Sequence, residues 1–279
     1  NLLSTAKTLL GNYYNDLKDE VAMYHLAGAR GSFNPSDIIV PLEDHEEFNE
    51  IMVNEVQAPT YDRHIFGGDA TSFETLDPAD ILTLDKLDDL ALILEEQQNP
   101  MKHISFEKDE MANESPFFIL FVTPRQWRDL WNSASEKKMQ ELMSRAMARG
   151  RGFNHPVFKG DVIMWRNILV RQYRKPVRFY AGDTVTVSNN DKLATTKQVT
   201  AGADIDRAIL LGGQALGNAY GKAESGTHFH MSTKKVDHDN GNETAIVWMN
   251  GCKKVRFADR EGRVNDYGTM VLDTAVTLQ

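Results

Sequence analysis

Three histidines, His228, His230 and His238, with Asp237 and Asp239 beside the last, are the residues whose types best suit a metal ion. Histidines two apart on a strand point to one face, and two imidazoles with a carboxylate hold zinc or iron. Such a site also needs groups that orient the imidazoles and an open coordination position. Neither is legible in this stretch, and histidines in a polar loop are more often plain surface. No metal, cofactor or catalytic residue is therefore expected, and a metal-dependent enzyme using His228, His230 and His238 stands as an alternative.

Other reactive types fare no better. Cys252 precedes Lys253 and Lys254, which would favour a thiolate, but no histidine lies close in sequence and a small buried apolar role suits it. The glycines of Gly212 to Gly217 fall inside what reads as a helix, and they lack the Lys-Ser or Lys-Thr ending of a phosphate loop. Asp88 and Asp89 are adjacent and diverge on a helix, as a solvated face does.

Basic residues offer more. Arg145, Arg149 and Arg151 close one predicted helix, and Arg166, Arg171, Arg174, Lys175 and Arg178 stud the strands beyond it. Such side chains neutralise phosphate without reading sequence. They also suit salt bridges to another copy, because residues 1–120 carry 24 Asp and Glu against 7 Lys and Arg, a balance of −17, while residues 121–279 carry 16 against 24, a balance of +8. A DNA-binding accessory protein is thus a second alternative.

The elements that must position these groups follow from hydrophobic spacing. Leu3, Ala6, Leu10, Tyr13, Leu17, Val21 and Tyr24 recur every three or four residues, and Gly28 follows, so residues 1–27 form a long helix of roughly 40 Å. Residues 30–78 lack periodicity and read as an extended excursion. A helix over 83–97 carries Leu84, Leu87, Leu90, Ala91 and Leu94 on one face. The apolar run Phe117 to Val122 is a buried strand that hands into a helix capped by Thr123, with Pro124 at its first position. On that helix Trp127, Leu130 and Trp131 share a face. Ser133 and Glu136 have the spacing of a capping box before Met139, Leu142 and Ala146, and Gly150 ends that helix. Strands are predicted over 162–170 and 177–187, a loop over 188–203, a helix over 207–220, and strands around Val247, Val255 and 270–276.

The strand from Phe118, the Thr123-Pro124-Arg125 turn into the Trp127 helix, and the strand bearing Met164 and Trp165 carry a resemblance. So do the segments Tyr24 to Gly31, Arg207 to Leu216, Lys253 to Phe257 and Asp266 to Gly268. In this order they resemble the major capsid proteins of tailed bacteriophages, which share the Hong Kong 97 fold, and most of all the family of short-tailed phages related to coliphage N-four. The resemblance implies an α+β capsid fold whose peripheral domain comprises residues 1–76, with a spine helix over 1–27 and an extended loop. Residues 77–250 would be the axial domain and 251–279 the return strands of the peripheral domain. The family's N-terminal arm and the extended loop after it have no counterpart before Asn1. Implied too is a structural subunit of a phage or prophage, not an enzyme, that forms hexamers and pentamers of an icosahedral shell around double-stranded DNA. Its partners would be itself, scaffold, portal or decoration proteins, and the packaged DNA by non-specific contact. Its place would be the virion, after assembly in the bacterial cytoplasm.

Composition agrees with a core-forming chain: 41% of the 279 residues are hydrophobic and the net charge is −9. Its apolar runs fall far short of the roughly 20 residues that cross a bilayer, so no membrane partner is expected. One cysteine forms no intrachain disulfide. A first residue of Asn rather than Met implies a processed, trimmed or partial chain.

Overall fold

The computed structural model of the protein describes residues 2–106, 116–150, 156–222, 229–238 and 240–277. In chain order its elements are α1 (Leu2–Ala27), α2 (Phe48–Met52), β1 (His64–Phe66), α3 (Leu84–Glu96), β2 (Phe118–Val122), α4 (Pro124–Asn132) and α5 (Glu136–Gly150), followed by β3 (Val162–Trp165), β4 (Ile168–Gln172), β5 (Val177–Phe179), β6 (Thr184–Ser188), β7 (Thr196–Thr200) and β8 (Ile205–Leu211). Seven short strands close it: β9 (Leu216–Tyr220), β10 (Phe229–Val236), β11 (Gly241–Trp248), β12 (Asn250–Lys254), β13 (Arg256–Ala258), β14 (Val264–Asp266) and β15 (Thr269–Ala275). The architecture is α+β, in two compact units. One takes Asn1–His25, Asn34–Val56 and Leu216–Lys253; the other takes Leu26–Phe33, Gln57–Ala215 and Lys254–Gln279.

The first unit is built on α1. Its spacing of apolar residues predicts the helix correctly, but the buried aromatic is Tyr14, whereas Tyr13 is exposed. Tyr14 stacks on Phe229 at 5.6 Å and meets Trp248 at 5.3 Å, which seats the root of the antiparallel β10–β11 hairpin on the helix. Glu20 is buried on the same helix, and its carboxylate accepts from the backbone N–H of Ile39 and Val40, both at 2.9 Å. That pairing fastens an otherwise irregular segment. Strands β9 and β12 form a second two-stranded sheet.

The second unit holds a seven-stranded sheet in the order β1-β15-β8-β2-β4-β3, with β5 beside β8. β2 explains its own apolar run. Phe118, Leu120 and Val122 face a cluster with Leu87, Leu90 and Leu94 of α3, Leu130 of α4 and Leu142 of α5. Ile119 faces the opposite cluster, with Phe117, Phe158, Met164 and Leu169. A strand buried on both faces has no polar alternation. Truncating one such leucine to alanine costs about 2–5 kcal/mol. The entry into α4 is as predicted: Thr123 accepts from Gln126 N and the Gln126 side chain answers on Thr123 N, with Pro124 first in the helix. Trp127 and Trp131 pack against the leucine cluster.

Four expectations are corrected. Residues 207–220 form β8, a turn and β9, because β8 is central and buried on nearly every position, so its apolar residues carry no period. Gly212 there admits a close backbone approach, since a Cβ would lie 2.4 Å from Lys102 O. Within 188–203, Thr196–Thr200 pair with β6. Each long strand over 162–170 and 177–187 is two, broken at Arg166 (φ 48°) and Gly182 (φ 95°). Ser133 turns back to donate to Leu130 O at 2.7 Å, and Ser135 Oγ instead accepts from Lys138 N at 3.4 Å.

Candidate functional site

The chemistry-bearing groups that the fold gathers lie inside the sheet of the second unit. Asp206 and Arg207 are neighbours on β8 and so point to opposite faces. Arg178 stands directly across from Asp206 on β5 and donates to it twice, at 2.6 and 2.8 Å. On the other edge of β8, Arg207 stands across from Asp273 on β15 and also donates twice, both at 2.7 Å. Asp206, Arg207 and Asp273 are at most 2% exposed. Two of the three strands beside β8, β5 and β15, are thus each keyed by one bidentate ion pair, and a one-residue slip of either would turn its charged partner to the wrong face.

The remaining valences are filled. Thr123 Oγ1 donates to Asp206 at 2.5 Å, and Gln126 Nε2 donates to Asp206 O at 2.8 Å and Thr274 Oγ1 at 2.9 Å. The capping residues of α4 therefore tie that helix to the charged pair. His64 Nε2 lies 2.7 Å from Asp273 Oδ2. An ionised carboxylate only accepts, so Nε2 carries the proton. Burial lowers the His64 pKa against the pull of Asp273, leaving the ring neutral. For Asp273, burial favours the acid, but Arg207 and His64 together hold its pKa down to about 2.

A second charged centre surrounds Asp266 on β14. Lys254 Nζ lies 2.8 Å from its carboxylate as an ion pair without directed hydrogen-bond geometry, and Arg256 Nε donates at 2.7 Å. Thr60 N donates to the same group at 3.1 Å. Burial lowers the Lys254 pKa to about 8 despite Asp266. Arg63 donates to Asp266 O at 3.0 Å, to Asn99 O at 2.6 Å and to Gln97.

None of this has the layout of a reaction centre. Every carboxylate in it already binds a cation, and the Thr123 hydroxyl that donates to Asp206 is buried with it, out of reach of a substrate. Burial pushes the Cys252 thiol up to about 11, so it is not a thiolate. A cavity of about 460 Å³ beside β1 is walled mainly by Phe66, Phe73, Ile93 and Val199, and its lysines, Lys86 and Lys197, engage Gly68 O and Glu74.

The candidate residues disperse. His230 lies near one end of β10 and His238 in the exposed turn beyond the other, separated by roughly 25 Å at 3.3 Å per residue. His228 and Asp239 lie outside the described residues, and no cluster of three or more metal-ligating side chains occurs among the described ones. Arg145 pairs with Glu141 at 2.5 Å, Arg166 with Asp88 at 2.8 Å, and Arg171 donates to Pro156 O at 3.1 Å. Arg149 lies 5.5 Å from the Phe117 ring centre. Lys175 is half-buried and Arg174 exposed; Arg151 lies outside the described residues. Arg178 is buried in its pair with Asp206, so it cannot reach a phosphate. The seven described do not make one basic face, since Arg178 is interior. What sequence reasoning missed was the interior: the one signal was Asp206 and Arg207 standing among isoleucines and leucines, where charge occurs only if paired.

A family model described as phage capsid protein matches residues 1–278. Among curated proteins none matches. The capsid of Ralstonia phage GP4 is similar in structure, with TM-score 0.76 and 23% identity over 99% of this chain and 68% of that one. The capsid asymmetric unit of cyanophage Pam1 gives TM-score 0.58 and 15% identity over 100% and 70% of the two chains. The head of Helicobacter pylori bacteriophage KHP40 gives 0.58 and 12% over 99% and 69%.

Proposed function

The chain belongs to the phage capsid protein family, and from that premise we propose that copies of it close as hexamers and pentamers into an icosahedral shell around double-stranded DNA. It is a structural, non-enzymatic major capsid protein with a Hong Kong 97-like fold, whose place is the virion capsid and whose partner is itself. The observation that carries the proposal is the family match along the whole chain. Closed symmetry and many repeated modest contacts, rather than one tight one, give such a shell its strength.

In this reading the unit containing α1 serves as the peripheral domain and the unit containing the seven-stranded sheet as the axial one. That assignment shifts the boundaries suggested by sequence, because β1 and β15 pair within the sheet and cannot be parted from it. The rest of the reading is kinship with the N-four-like phages, assembly in the bacterial cytoplasm, and use of scaffold, portal or decoration proteins. Among the candidate basic residues, exposed Arg174 is the one best placed to touch packaged DNA or a neighbouring copy.

Electron microscopy of the full-length protein, expressed alone and with its neighbouring phage genes, tests the proposal. Closed shells of uniform diameter are expected. A protein that stays a discrete monomer or dimer in both preparations would refute it.

A further inference from the structure

Within the first unit, charge and exposed apolar surface are arranged in two unlike patches. Strands β10 and β11 form a two-stranded sheet with no third strand among the described residues. Its root is seated by Phe229 and Trp248 on Tyr14, yet beyond Met231 residues of both faces are exposed: Ser232 and Lys234 on one, Thr233 on the other, with Glu243 and Ala245 opposite the first set. An isolated two-stranded hairpin is marginal in water, so so long a hairpin needs something to cover it. Val247 and Met249, which follow on the same chain, are 47% and 58% exposed. Exposed lysines occur on or beside strands of the same unit: Lys234 on β10, Lys222 after β9 and Lys253 on β12. Within the chain Lys234 faces only Glu243 across the ladder, and no ion pair of 4.0 Å or less holds any of these three lysines among the described residues.

The other patch is the loop bearing Glu43, Asp44, Glu46 and Glu47, with Glu50 just beyond in α2, all exposed. Asp44, Glu46, Glu47 and Glu50 likewise meet no cation within ion-pair distance among the described residues. The same unit therefore presents a basic, partly apolar sheet and, at Asp44, Glu46, Glu47 and Glu50, acidic groups that no lysine of that sheet pairs with among the described residues. A surface complementary to a different surface of the same molecule makes a head-to-tail contact, the kind that generates rings.

We infer that the β10–β11 sheet of one copy, with Val247, Met249 and the lysines Lys222, Lys234 and Lys253, receives the acidic loop Glu43–Glu47 of a second copy. This rests on the self-assembling capsid reading and names one contact within it. The apolar side chains supply buried area at the centre and the charges set register and exclude like-charged approaches.

The experiment is a charge exchange in the full-length protein. Lys222→Glu with Lys253→Glu puts acid against acid, and Glu46→Lys with Glu47→Lys puts base against base. Each pair is expected to raise at least tenfold the subunit concentration needed for particles, a shift of about 1.4 kcal/mol. All four substitutions together restore complementarity and should return assembly toward the wild-type threshold. Circular dichroism melts of the unassembled subunits should be nearly unchanged, since all four positions are exposed. Wild-type thresholds for either double variant, or a fourfold variant no better than the doubles while still folded, overturns this contact and leaves the capsid reading standing. A wild type that forms no particles overturns the reading and the contact with it.

Discussion

The two units solve opposite problems with the same residue types. In the seven-stranded unit, charge is inside: Asp206, Arg207 and Asp273 lie within the sheet, each with a partner, on strands that also supply Ala208, Leu210, Met270 and Leu272 to the leucine-rich cluster. In the unit built on α1, apolar side chains are outside, with Leu9, Val247 and Met249 mostly or half exposed, and buried charge reduces largely to Glu20. A buried ion pair adds little net stability over a well-packed apolar pair of the same size, but breaking one is severe. The comparison teaches that paired interior charge fixes strand register in the sheet unit, whereas the α1 unit, small as it is, keeps much apolar surface exposed.

The sharpest way to break that contrast is to strand a charge. Asp273→Ala leaves Arg207 buried without its counter-ion, and His64 without its acceptor. A loss of about 3–5 kcal/mol in urea unfolding of the subunit is expected. A loss under 1 kcal/mol would mean the pair is not the key to β15.

Acid tests the same pair without mutation. Below the ordinary histidine value of 6.5 the unfolded chain takes up a proton that the folded His64, its pKa lowered, resists, so stability falls as pH drops. Asp273, held at about 2 against an ordinary 3.8, adds a further loss as pH falls from 3.8 toward 2, of roughly 2 kcal/mol. A melting temperature flat between pH 7 and pH 4 would contradict the His64 component. In the Asp273→Ala variant the lower-pH component should disappear.

Thr123→Ala is expected to cost about 1–2 kcal/mol, since it removes both an N-cap and a donor to Asp206. Smallest of all, Val247→Ser in the other unit should change subunit stability by no more than about 0.5 kcal/mol. If it unfolds the subunit, that side chain belongs to a core and the contrast between the units fails.

Much of this was readable from residue order. The helices at 1–27, 83–97 and from Pro124 declared themselves through spacing and caps, because a surface helix must alternate its faces and its first N–H groups need acceptors. β8 did not, since a strand covered on both sides shows only a hydrophobic run, and glycines after it resemble helix-packing glycines. The ion pairs were hidden for a related reason. Arg178 and Asp206 are 28 residues apart, Arg207 and Asp273 are 66 apart, and only strand order brings them together. Arg178 accordingly read as a surface base when it is an interior one.

β15 lies between β1 and β8 although it is the last strand in the chain. A ribosome emits every other strand of the sheet before it supplies this one, and His64 waits for Val271 across most of the polypeptide. Pairings so distant in sequence make folding slow and leave the nascent sheet with an open seam. A subunit still short of β15 therefore lacks the strand through which β1 joins the rest of the sheet.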